Sequence, residues 1–139
     1  MLISERLPSQ LEAVPQFVLR VVNDLKALSL PEKEIFNIRL SLNEALINAI
    51  KHGNKLNPDL SVAVKIQTQG DYLTIEIKDE GGGFDFNHLP DPTRQENLLK
   101  TAGRGVFLIR NLMDKVDFFD QGRGIKMVKL LKVSEGGRK

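Results

Sequence analysis

The sequence predicts an α+β fold, a two-layer sandwich in which a mostly antiparallel sheet carries helices on one face. Three observations lead there. Apolar residues recur at three- and four-residue spacing over two long early stretches, the period then switches to two between Leu60 and Lys78, and helical and strand-like segments come in blocks instead of strict alternation. The size agrees, since 139 residues at 41% hydrophobic and 27% charged make one domain with a real core. We expect that domain over 1–133 and a polar, frayed tail over 134–139.

Met1 to Leu7 reads as a first strand, ended by Pro8 and Ser9. From Gln10 to Leu28, Leu11, Val14, Val18, Val21, Val22 and Leu25 trace one amphipathic helix. A second helix follows, with Ser29 as its expected N-cap and Pro31 in its first turn, where the missing N–H costs nothing. It should run to about His52 and close on Gly53 in the left-handed conformation. At 100° per residue Ile35, Ile38, Leu42, Ala45, Leu46 and Ala49 form its core arc. Val62, Val64 and Ile66, then Leu73, Ile75 and Ile77, alternate with polar neighbours around Gln69-Gly70-Asp71, which predicts a hairpin with one buried face. Glu80 to Arg104 reads as a long loop rich in glycine and proline, with a short helical stretch near Glu96 to Lys100; loops of that length are usually functional. A third helix is expected over Arg104 to Met113, and two last strands over Val116 to Phe119 and Ile125 to Val133.

Composition excludes several classes. Without cysteine there is no disulfide framework, thiolate zinc site or cysteine nucleophile. No apolar run reaches the roughly 20 residues that cross a bilayer, and Glu5 and Arg6 interrupt the start where a signal peptide would be apolar. A cytoplasmic protein with no membrane partner is the expectation. The 20 Lys and Arg against 18 Asp and Glu leave a charge of +2, too small and too scattered to predict direct nucleic-acid binding.

Chemistry concentrates at four places. Glu44 and Asn48, four apart on the second helix, project side by side; such a pair is also commonplace on a solvated helix. Asp79 continues the phase of Leu73, Ile75 and Ile77, so it should be buried, where a ligand donor, a backbone N–H or a distant Arg must satisfy it. Gly81 and Gly83 follow at once, allowing a ligand close to the backbone. Gly103 and Gly105 open the third helix, whose free N–H groups suit a phosphate. A Walker A loop is absent, and a dinucleotide fingerprint fails because Gly103 to Gly105 follows a loop, not a strand.

In that order, the motifs resemble the GHKL ATPase superfamily and, within it, the anti-sigma factor serine-protein kinases. Ser41-Leu-Asn-Glu44-Ala-Leu-Ile-Asn48-Ala-Ile-Lys-His52-Gly53 is similar to the N box, Asp79-Glu-Gly81-Gly-Gly83-Phe84 to the G1 box and Gly103-Arg-Gly105-Val-Phe-Leu-Ile109 to the G2 box. The resemblance implies a Bergerat-type ATP-binding fold with ATP and Mg²⁺ as cofactors. It implies that Asn48 holds Mg²⁺, Asp79 accepts from the adenine amine, Gly81 and Gly83 let the backbone pass the nucleotide, Gly103 to Gly105 close over the phosphates, and Glu44 is the base. Arg104 or Lys100 could add charge there, although each also reads as a solvated cation. Arg20 matches in position a residue with which some relatives contact a partner. One departure is Ile125, after Gly122-Arg-Gly124, where many relatives carry threonine.

The function implied is an ATP-binding anti-sigma factor that phosphorylates a serine or threonine of an anti-sigma-factor antagonist, with a sigma factor as its other partner and a homodimer as the expected assembly. An alternative is a non-catalytic, ATP-dependent binding switch of the same fold. A histidine-kinase catalytic domain is a third, opposed by the lack of a phosphoacceptor helix pair. Glu44 favours the kinase, because metal binding needs only Asn48.

Overall fold

The structure is a computed structural model; it describes residues 1–81 and 101–131, with 101–104 described as backbone only. The first strand, β1, spans Leu2–Pro8. A 3₁₀ turn at Leu11–Ala13 leads into α1, Val14–Lys26, so the first helix is shorter at both ends than its apolar period implies. Pro15 sits in the first turn, where no N–H is needed.

The second helix, α2, spans Glu32–Ile47 and continues into a π turn at Asn48–Gly53. Two expectations about its ends are corrected. Ser29 does not cap it: Pro31 holds the N-cap position with extended ψ of 146°, and Ser29 takes a left-handed φ of 57° in the preceding turn. Gly53 does not close it in the left-handed conformation. The helix instead widens, with Asn54 N–H donating to Ala49 O at 2.8 Å, and Gly53 has a different role described below.

The hairpin forms as its alternation predicts: β2 is Ser61–Gln69, β3 is Tyr72–Lys78, and Gly70 supplies a φ of +58° at the turn. Beyond residues 82–100 come α3, Thr101–Leu112, then β4, Lys115–Phe119, and β5, Gly124–Leu130. The described strands form one five-stranded sheet in the order β1-β2-β3-β5-β4, every neighbouring pair antiparallel. The expected helix at Glu96 to Lys100, Gly83 and the tail lie outside the described residues.

One face of this sheet is the core. Val62, Val64 and Ile66 of β2, Leu73, Ile75 and Ile77 of β3 and Met127 of β5 are buried with Val21 and Leu25 of α1, Ile38, Leu42 and Leu46 of α2 and Ile109 of α3. The other face is polar. Register places Lys65, Glu76, Lys126 and Asp117 in one row across four strands, so charges of opposite sign stand side by side. A buried charged pair lies on the helical side: Lys129 Nζ sits 3.6 Å from Glu34 Oε2 and donates to Leu112 O at 3.0 Å, which ties the start of α2 to the end of α3.

Candidate functional site

A cavity of about 200 Å³ opens between α2, the start of α3 and the ends of β3 and β5. Asn48, Gly53, Asp79, Val106 and Arg123 are among its lining residues, with Ile77, Phe118 and Ile125 as apolar wall. Ala45 and Ala49, read from sequence as plain core, also line it; their small side chains leave the space open.

Asp79 lies where the strand phase predicted, only 4% exposed. Its N–H donates to Arg123 O at 3.0 Å, and its Oδ1 accepts the Gly81 N–H at 2.8 Å. Burial raises its pKa above the ordinary carboxylate value, while the Gly81 N–H and the Arg123 charge pull the other way. Internal partners therefore exist, the backbone N–H and the distant Arg that the sequence left open: Arg123 arrives from the β4–β5 turn. Its Nε donates to Gly81 O at 2.6 Å. That turn runs through three positive φ values at Asp120, Gln121 and Gly122 (53°, 58° and 88°), which swings Arg123 back toward the pocket.

Gly53 is the glycine whose role the sequence hid. A Cβ there would collide with the Asp79 carboxylate, and a Cβ at Gly81 would collide with the Gly53 carbonyl. The π turn thus brings backbone, carboxylate and glycine loop into one close contact that only glycines permit.

Asn48 opens the π turn and lines the cavity. Its Oδ1 is buried and has no hydrogen-bond partner among the described residues. An orphaned acceptor costs about 1–3 kcal/mol, so this oxygen stands ready for a group that the described residues do not supply. A hard divalent cation that takes oxygen ligands fits it. A Cβ at Gly105 would stand 2.9 Å from Asn48 Nδ2 and 3.4 Å from both Asn48 Oδ1 and Glu44 Oε2. The structure therefore gathers Glu44, Asn48 and Gly105 at one contact between α2 and α3. Because α3 already includes Thr101, ahead of the expected Arg104, Gly103 and Gly105 lie within the helix, and Gly105 falls past its four free N–H groups.

The other expected residues divide. Gly81 joins Asp79; Gly83 and Lys100 fall outside the described residues; Gly103 and Arg104 belong to the backbone-only segment. Arg20 stands apart on α1, ion-paired with Glu5 and 5.3 Å above the Phe17 ring. His52 lines the cavity, with a pKa lowered by burial and then by Lys51. Ile125 gives the cavity an apolar wall where threonine would offer a hydroxyl.

A layer of helices on an antiparallel sheet, with a pocket between a buried carboxylate and a helical acid–amide pair, defines an ATPase domain of the histidine-kinase-like class. The family described as the histidine kinase-like ATPase domain matches residues 7–130, and this chain belongs to it. Within it the chain falls in the anti-sigma factor serine-protein kinase group. It is 30% identical to the serine-protein kinase RsbW of Staphylococcus epidermidis, over 94% of this chain and 87% of that protein. For RsbW of Staphylococcus aureus the identity is 28%, with the same coverage. RsbW of Listeria monocytogenes is 25% identical over 91% of this chain and 88% of that one. Among the described residues, no helix is long and apolar enough to cross a membrane.

Proposed function

We propose that this chain binds Mg-ATP in the pocket, transfers the γ-phosphate to a serine or threonine of an anti-sigma-factor antagonist, and controls a sigma factor through that exchange. The observation that carries the reading is the buried Asn48 Oδ1, unpartnered among the described residues, near the Glu44 carboxylate, both against Gly105. An acid beside an idle acceptor is what phosphoryl transfer to a hydroxyl asks for: a cation site and a base. The names of the relatives, serine-protein kinases, point the same way.

In this account Asn48 holds the cation, which neutralises phosphate charge when bound. Asp79 accepts from the adenine amine, and Gly53 and Gly81 let base and backbone approach. Glu44 takes the proton of the attacking hydroxyl while its oxygen bonds to the γ-phosphorus and the bond to the bridging oxygen breaks, leaving ADP. Gly83, with Gly81, lets the backbone pass the nucleotide, Gly103, Arg104 and Gly105 close over the phosphates, and Arg20 contacts a partner protein.

The test mixes the protein with γ-labelled Mg-ATP and a candidate antagonist. Glu44→Gln should bind ATP as wild type does and transfer about 10²- to 10⁴-fold more slowly. Nucleotide binding with no transfer to any antagonist by wild type would leave only the binding switch.

A further inference from the structure

We infer that Asn54 is a positioning residue for base recognition, aiming Asp79 by pinning the peptide that follows it; this rests on the proposal that Asp79 reads the adenine amine. Asn54 directly follows the π turn and is 2% exposed. Its Nδ2 donates to Ser9 Oγ at 2.5 Å and to Ser61 O at 2.9 Å, and its Oδ1 accepts the Glu80 N–H at 2.8 Å. Ser61 O can only accept and Glu80 N–H can only donate, so the network itself fixes which end of the amide is which. One side chain thus joins the end of β1, the start of β2 and the residue after Asp79.

The consequence falls on Asp79. Its own N–H is held by Arg123 O, and the next N–H, that of Glu80, is held by Asn54. The carboxylate is therefore anchored by a backbone bond on each side, one from β5's entry and one from the π turn. Glu80 is held again through its side chain, whose Oε1 accepts from Ser61 N–H at 2.6 Å and Ser61 Oγ at 2.9 Å. Hydrogen-bond selection by a carboxylate depends on its aim, so slack in this backbone should blur the base preference before it abolishes phosphate binding.

The test compares ATP with inosine triphosphate, which carries an oxygen where adenine carries the amine, by equilibrium titration of wild type, Asn54→Ala and Ser9→Ala. Wild type should prefer ATP. Asn54→Ala should lose about tenfold of that preference, as expected for one buried hydrogen bond, with inosine triphosphate affinity little changed. Ser9→Ala removes a bond from Asn54 without freeing Glu80 N–H, and should keep the preference within about twofold. A ratio of affinities does not depend on the active fraction of protein. If Asn54→Ala does not fold, Asn54→Ser, too short to reach Glu80, carries the same test. An unchanged preference in the Asn54 variant, or an equal loss in Ser9→Ala, would overturn the inference. A wild type that binds both nucleotides alike would overturn the adenine reading and this inference with it.

Discussion

At the scale of single residues, Asp79 sets function against stability. Its pKa is raised in the fold, chiefly by burial, so the folded state holds the proton more tightly than the unfolded chain. The sign follows: stability attributable to Asp79 is greatest below its unfolded value and falls as pH rises through the raised folded value, leaving the ionised group a cost at neutral pH. Asp79→Asn removes that slope. Urea unfolding between pH 4 and 7 should show the variant losing less stability than wild type as pH rises, and matching or exceeding it at pH 7. A variant clearly less stable at pH 7 would mean the ionised carboxylate is well satisfied internally. Asp79 was legible because a period of two assigns its face. Gly53 was not, because its reason is contact with a residue remote in sequence, and the local rule for a glycine after a helix gave the wrong conformation. Arg123 was hidden for the same reason: nothing in Gly122-Arg-Gly124 says that the turn folds back on the glycine loop.

At the scale of elements, the strands and the hairpin register follow from alternation, while helix ends depart from it. The π turn has no local signature; what distinguishes it is remote in sequence, Gly53 against the Asp79 carboxylate and Asn54, just after the turn, bonded to Ser9, Ser61 and Glu80. α3 likewise already includes Thr101, ahead of the start marked by its glycines. Helix positions are also fixed by the Lys129–Glu34 pair, about nine-tenths buried on both sides, with Lys129 bonded to the last carbonyl region of α3. Removing one partner leaves a buried charge, so Lys129→Met should cost about 2–4 kcal/mol in urea unfolding. Adding Glu34→Leu should recover much of the loss, since an apolar pair of similar volume needs no hydration. Failure of the double variant to recover any stability would show that the bond from Lys129 to Leu112 O, not the charge pair, is what matters.

At the scale of the whole molecule, the two-layer fold expected from the blocks of helix and strand is the one observed, and it is matched as a histidine kinase-like ATPase domain over residues 7–130. The pocket sits where the two layers part. A ligand that binds only this folded arrangement must stabilise it: at a concentration 100 times its Kd, ATP with Mg²⁺ should add about 2.7 kcal/mol, several degrees in Tm. Asn48→Ala should lose much of that shift, and chelating the metal should lower the wild-type shift toward the variant's. Identical shifts with and without metal would remove Asn48 from the cation site. The central claim, that this cavity is the nucleotide site with Asp79 at its base-reading end, is tested most directly by calorimetric titration of ATP into wild type and Asp79→Asn at pH 7. The account predicts at least a tenfold weaker affinity in a variant that is folded and no less stable, as for a lost hydrogen bond to a charged group; an undiminished ATP affinity in the folded variant would contradict it.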